Sequence, residues 1–118
     1  MMFVIFWQFN KHQDDIRASG PAHEPEAMLV DLNKQTDRER YALSDKPTMI
    51  GRIPANDIDR YDSVVIADVT IGRRHAVLDF HDNAFWIQDQ GSVNGTYVNG
   101  HRIEGERRLQ DGDEIKSA

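Results

Sequence analysis

No window of useful length in this chain repeats its apolar residues at helical spacing. They come in short runs, broken by turn residues roughly every 8–12 positions, which predicts short strands. The runs are Met28 to Leu32, Arg40 to Leu43, Thr48 to Arg52, Ser63 to Ala67, His75 to Phe80, Ala84 to Gln88, Thr96 to Val98, Arg102-Ile103 and Asp113 to Ser117. Between them lie Ser44-Asp45-Lys46-Pro47, Pro54-Ala55-Asn56-Asp57, His81-Asp82-Asn83 and the loop Asp89 to Gly95. Asn99-Gly100 and Asp111-Gly112 complete the turns, and Asn-Gly is the strongest short hairpin cue. The pattern predicts an all-β sandwich.

The chain has 118 residues, room for one compact domain. Residues 1–9 are apolar, aromatic and β-branched, the composition of a buried strand. The alternatives are a partner-binding strand or the stump of a membrane-proximal segment. Residues 10–25 are polar, carry Gly20, Pro21 and Pro25, and read as a flexible linker. Residues 26–118 form the main body.

Fourteen Lys and Arg face twenty Asp and Glu, for a net charge of −6. That argues against a nucleic-acid binder relying on bulk positive charge. There is no cysteine, so disulfides and thiolate chemistry are excluded, and a reducing cytoplasm is compatible. The longest apolar run, Met1 to Trp7, falls far short of the roughly 20 residues that span a bilayer.

Three loop segments stand out: Gly51-Arg52 at a strand end, Arg73-Arg74, and Asn94-Gly95-Thr96. Loops at one end of a sandwich converge into binding sites. Arginine offers a planar fork of donors that matches phosphate, and asparagine pairs with a peptide backbone. On composition alone, solvated arginines paired with carboxylates account for the same residues.

His75 opens a strand after the basic loop and has no partner at metal-ligand spacing, so it reads as a buried residue that shapes the loops. Asp57-x-Asp59-x-x-Asp62 lacks the glycine and closing glutamate of a calcium loop. Ser92, His75 and Asp89 include the residue types of a hydrolase, but no G-x-S-x-G, Walker A or H-E-x-x-H motif accompanies them. No enzymatic activity, cofactor or metal is expected.

Taken in order, the motifs resemble the forkhead-associated (FHA) domain, a phosphothreonine-recognition module. The resemblance rests on Ile50-Gly51-Arg52, Ile71-Gly72-Arg73-Arg74-His75-Ala76-Val77-Leu78 and Phe85-Trp86-Ile87-x-Asp89-x-Gly91-Ser92-x-Asn94-Gly95-Thr96-Tyr97-Val98-Asn99-Gly100. Leu109-x-Asp111-Gly112-Asp113-x-Ile115 closes it. It implies a sandwich of two antiparallel sheets with about eleven short strands. It also implies a phosphothreonine protein or peptide as partner, with neither nucleic acid nor membrane insertion. Arg52 falls at the phosphate-binding arginine, Arg73 at a second polar or basic contact, and Asn94 at the asparagine that holds the peptide main chain. Thr70 lines the same loop, and Gly51, His75 and Gly95 fall at loop-shaping positions.

Two departures matter. Where the family usually has a phosphate-binding serine, this chain has Gly72. The Gly72 N–H, Arg73 or Arg74 are the replacement donors on offer. The family's last strand is also expected after Ile115, whereas the apolar strand-like run sits at residues 1–9. Phe3 to Phe9 is therefore expected to fill that place, within one chain or in a strand-swapped homodimer. The alternative function is a phosphorylation-independent FHA fold used in structure or oligomerisation.

Overall fold

A computed structural model describes residues 2–8 and 26–116. The chain contains β1 (Met2–Gln8), β2 (Glu26–Asp31), β3 (Arg40–Leu43), β4 (Thr48–Gly51), β5 (Asp62–Val65) and β6 (Ala76–His81). It continues with β7 (Ala84–Asp89), β8 (Tyr97–Val98), β9 (His101–Arg102), β10 (Glu106–Leu109) and β11 (Glu114–Lys116). No helix occurs among the described residues. The expected linker, residues 10–25, and the end of the last run, Ser117, lie outside them.

The strands form two sheets, ordered β3-β2-β1-β11-β8-β9 and β10-β7-β6-β4-β5. Their facing sides bury Phe3, Ile5, Leu29, Ile50, Ile66, Leu78, Phe85, Ile87, Leu109 and Ile115 in one core. β3 shows the cause in miniature: Tyr41 and Leu43 are buried while Arg40 and Ala42 are exposed, the period-two alternation of a half-buried strand. Two tight hairpins match the local chemistry. Asp82 and Asn83 have φ of 53° and 58°, and Asn99 and Gly100 have φ of 52° and 84°, the left-handed pairs that primed turns require.

The topology corrects the sequence reading in three places. The strand pairs are not all antiparallel, because β4 and β5 run parallel. The chain crosses from the end of β4 back to the start of β5 through residues 52–61, so both strands point the same way. β10 was not anticipated. Its Glu-Arg-Arg-Leu buries only Leu109 and pairs with β7 at a sheet edge, where backbone bonding needs no apolar alternation. Ile103 is not part of β9; its N–H donates to the Thr96 carbonyl and its side chain is buried.

β1 lies between β2 and β11, antiparallel to both. A strand continuing from β11 through a tight turn would take the same place. Phe3 faces Ile115 and Asp31, and both Phe3 and Ile5 are fully buried. β1 is thus the hydrogen-bonded link between β3-β2 and β11-β8-β9.

Candidate functional site

The segment after β4, the loop between β5 and β6, and the loop between β7 and β8 meet at one end of the sandwich. Backbone hydrogen bonds bring the first two together. The Arg52 N–H donates to the Gly72 carbonyl and the His75 N–H to the Ile50 carbonyl. The Arg73 carbonyl then passes directly over Gly51, where any side chain would collide with it.

His75 joins the second loop to the third. It is completely buried. The Gly72 N–H donates to its Nδ1 at 3.0 Å. Nε2 therefore carries the proton and donates to the Gly95 carbonyl at 2.8 Å. Asn94 adds a second tie, its Nδ2 donating to the Thr70 carbonyl at 2.7 Å. An asparagine amide has two N–H donors and an acceptor oxygen. One donor is spent here; the other and Oδ1 match the complementary groups of a peptide backbone.

The third loop is held from inside by Asp89. Its carboxylate accepts from the Ser92 N–H (2.9 Å), the Ser92 hydroxyl (2.6 Å) and the Thr96 hydroxyl (2.7 Å). Burial pushes the Asp89 pKa upward, but these hydrogen bonds outweigh it and hold the carboxyl below its ordinary range. The Ser92 oxygen in turn accepts from the Gly95 N–H. The hydrolase-like trio is thus a loop brace, because both ring nitrogens of His75 are engaged by backbone and Ser92 does not meet the ring.

The second loop has its own brace. Asp68 accepts from the N–H and hydroxyl of Thr70 at 2.9 and 2.8 Å. The Thr70 backbone bond first, then its hydroxyl, lower the Asp68 pKa, and the Gln35 side chain adds to the effect. Thr70 thus turns its hydroxyl back onto its own loop.

Arg52 is half-buried, while Arg73 and Arg74 are exposed. None of the three has an ion-pair partner among the described residues; the ion pairs found there join Lys46 to Asp62 and His81 to Asp82 and Glu106. The carboxylate pairing that composition alone allows for these arginines is not found among the described residues. Gly72 offers less than anticipated, since His75 takes its N–H. Asp57, Asp59 and Asp62 do not form a metal site, and no group of three candidate ligands occurs among the described residues.

Sequence reading missed two features here. The Arg102 guanidinium packs against Gly95, with Nε 2.8 Å from where a Cβ would stand. Pairing of Arg102 with Tyr97 in the β8–β9 hairpin brings it there. Three exposed aliphatic residues also flank the polar ones in sequence: Ile53 beside Arg52, Val69 beside Thr70 and Val93 beside Asn94. They are 39%, 85% and 92% exposed, an apolar fringe on a charged protein.

A β-sandwich that gathers Arg52, Arg73, Arg74 and Asn94 on converging loops has the layout of a loop-based binding module. The family model described as FHA domain matches residues 48–117, and the chain belongs to that family. It is 38% identical over 90 residues to the oxoglutarate dehydrogenase inhibitor of Corynebacterium efficiens, covering 76% of this chain and 58% of that protein. The chain thus spans little more than half of that relative's length. Among solved structures it resembles Mycobacterium tuberculosis EmbR in complex with a low-affinity phosphopeptide (TM-score 0.62, 32% identity, 75% of this chain and 21% of that one). It also resembles the FHA domain of an Arabidopsis thaliana hypothetical protein (TM-score 0.65, 28% identity, 86% of each chain).

Proposed function

We propose that this chain is a non-enzymatic docking domain that binds partner proteins through a phosphorylated threonine in a cytoplasmic setting. The observation that carries the reading is the set of arginines with no ion-pair partner among the described residues, Arg52, Arg73 and Arg74, on loops tied together by neutral hydrogen bonds. A phosphothreonine brings about −1.5 to −2 charges and three acceptor oxygens. Arg52 and Arg73 clamp the phosphate, and Asn94 uses its remaining donor and acceptor on the adjacent main chain. Val69 and Val93 supply apolar surface for the threonine methyl and its neighbours. The net charge of −6 does not oppose this, because physiological salt screens exposed charges beyond about 8 Å.

The second reading is a phosphorylation-independent assembly module, including a strand-swapped homodimer. One observation favours it: with glycine at position 72 and its N–H bonded to His75, this loop offers the phosphate neither a hydroxyl nor that amide.

Calorimetric titration with a degenerate phosphothreonine peptide pool separates the two. The controls are the same pool without phosphate and an Arg52→Ala variant. Binding that needs the phosphate and weakens at least about ten-fold in Arg52→Ala supports docking, since a hydrogen bond to a charged group contributes about 1.5–3 kcal/mol. Binding indifferent to phosphate supports the assembly module.

A further inference from the structure

Beside the loop site, a cleft of about 360 Å³ opens between the edge strands of the two sheets, β3 and β5. Tyr41 and the adjacent loop, with Gln35 and Arg38, line one wall; Ser63, Val65 and Ala67 line the other. The second wall is a strand edge with no paired strand among the described residues. Along β5 and just beyond it, the Asp62 and Ile66 N–H groups donate to the Pro47 and Gly51 carbonyls, so even-numbered residues bond towards β4. The backbone of a strand alternates sides. Ser63, Val65 and Ala67 therefore turn their N–H and C=O groups away from β4 and into the cleft.

Edge strands are ordinarily guarded against added chains by charge or shortness. β10 carries Glu106, Arg107 and Arg108, β9 is only His101–Arg102, and β3 begins with Arg40. On β5 the outward-bonding residues Ser63 and Val65 are uncharged, and the charge at its start, Asp62, is paired with Lys46. The facing wall carries Asp37 and Arg38, one charge of each sign, so main-chain bonding rather than a single charge governs what fits. The Arg38 guanidinium is held over the Tyr41 ring, 5.5 Å from its centroid.

The cleft borders the loop that carries Asp68 and Thr70. β5 runs straight into Asp68 and Thr70, and Gln35 on the opposite wall acts on the same Asp68 carboxylate. Asp68 holds Thr70, whose carbonyl accepts from Asn94. We propose that this cleft takes the extended flank of the bound phosphopeptide as an added strand on the β5 edge. The proposal rests on the phosphothreonine reading and deepens it: the partner is a segment that stays extended beyond the phosphothreonine. It binds through its main chain, the mode by which peptides augment exposed sheet edges.

Val65 provides the test. Its N–H points outward, so proline there deletes a donor the β4–β5 ladder does not use, and an outward edge position is where strands tolerate proline. Wild type, Val65→Pro and Val65→Ala are titrated with two phosphothreonine pools. The short pool has a single randomised residue on each side; the long pool extends each flank by about one strand length, roughly 5–6 residues. The long pool should bind wild type and Val65→Ala about ten-fold more tightly than the short pool, the effect of one or two added hydrogen bonds. Val65→Pro should leave short-pool affinity unchanged and lose the gain. Amide hydrogen exchange on wild type gives a second readout: Ser63, Val65 and Ala67 should slow with the long pool and not with the short one. Equal affinities for the two pools, or a gain that survives in Val65→Pro, overturns the added strand while leaving phosphothreonine binding intact. If neither pool binds wild type, the phosphothreonine reading itself is overturned, and the added strand falls with it.

Discussion

The Arg73 carbonyl oxygen lies 2.0 Å from the position a Cβ on Gly51 would occupy. The neighbouring obstacles are backbone too, the Arg73 carbonyl carbon at 2.8 Å and the Arg74 Cα at 3.2 Å. No side-chain rotation relieves such a clash. Gly51→Ala must move the loop that carries Arg73 away from the end of β4, which Arg52 directly follows. Overpacking of this kind costs typically about 1–3 kcal/mol. A lowered thermal midpoint with lost phosphopeptide affinity is the expected outcome, read by calorimetry on the same preparation. Unchanged affinity would mean that the two arginines act independently.

Position 72 should behave in the opposite sense. A Cβ on Gly72 would meet nothing closer than His75 Nδ1 at 3.7 Å, which is ordinary contact. Gly72→Ser therefore fits without displacing the loop, and it restores a hydroxyl beside the arginines. A hydrogen bond to a charged group is worth about 1.5–3 kcal/mol, so affinity for the phosphothreonine pool should rise about ten-fold or more. Titration of the variant against wild type checks this; a gain equal for the unphosphorylated pool would assign the hydroxyl another role.

Asp89 sets an acid limit on the third loop. Its pKa is lowered in the folded chain; burial opposes the shift, and the hydroxyl and N–H donors of Ser92 and Thr96 overcome it. A carboxyl with a depressed folded pKa contributes stability above its unfolded value, near 3.9 for aspartate, and loses it as pH falls through the folded value. Denaturant midpoints should hold at neutral pH and decline below about pH 4. Asp89→Asn sets an amide among groups that need an acceptor. It should be less stable at pH 7 and show a smaller fall into acid. An unchanged acid profile in the variant would place the sensitivity elsewhere.

β1 should prove indispensable. Phe3 and Ile5 are fully buried in the shared core, and β1 alone links β2 to β11 by hydrogen bonds. Phe3→Ala should cost about 3–5 kcal/mol. Deleting residues 1–9 should leave a chain that unfolds or aggregates, because it exposes the edges of β2 and β11 and removes Phe3 and Ile5 from the core. Circular dichroism and light scattering decide this, and a truncated chain with an unaltered thermal midpoint would show β1 to be dispensable.

Much of this architecture is legible from neighbouring residues. Asp82-Asn83 and Asn99-Gly100 announce their hairpins because left-handed backbone favours those side chains, whatever surrounds them. Tyr41 and Leu43 announce a buried face by alternation. β10 escapes such reading because an edge strand is stabilised by pairing with β7 and needs only Leu109 for the core. Arg102 escapes it because its contact with Gly95 exists only once the β8–β9 hairpin has folded back.

The site divides along the same line. Residue types carried the identity of the proposed grip, since only certain side chains can meet a phosphate or a peptide backbone: Arg52, Arg73 and Asn94. Long-range folding decided how much of each is available. It spent the Gly72 N–H on His75, gave one Asn94 donor to Thr70 and, among the described residues, left the arginines without carboxylate partners and β5 at a sheet edge. Turn preference and alternation act over a few bonds, so they are written into short stretches of chain. Hydrogen-bond satisfaction and charge pairing depend on groups that are far apart in the chain, and these become neighbours only when the two sheets close.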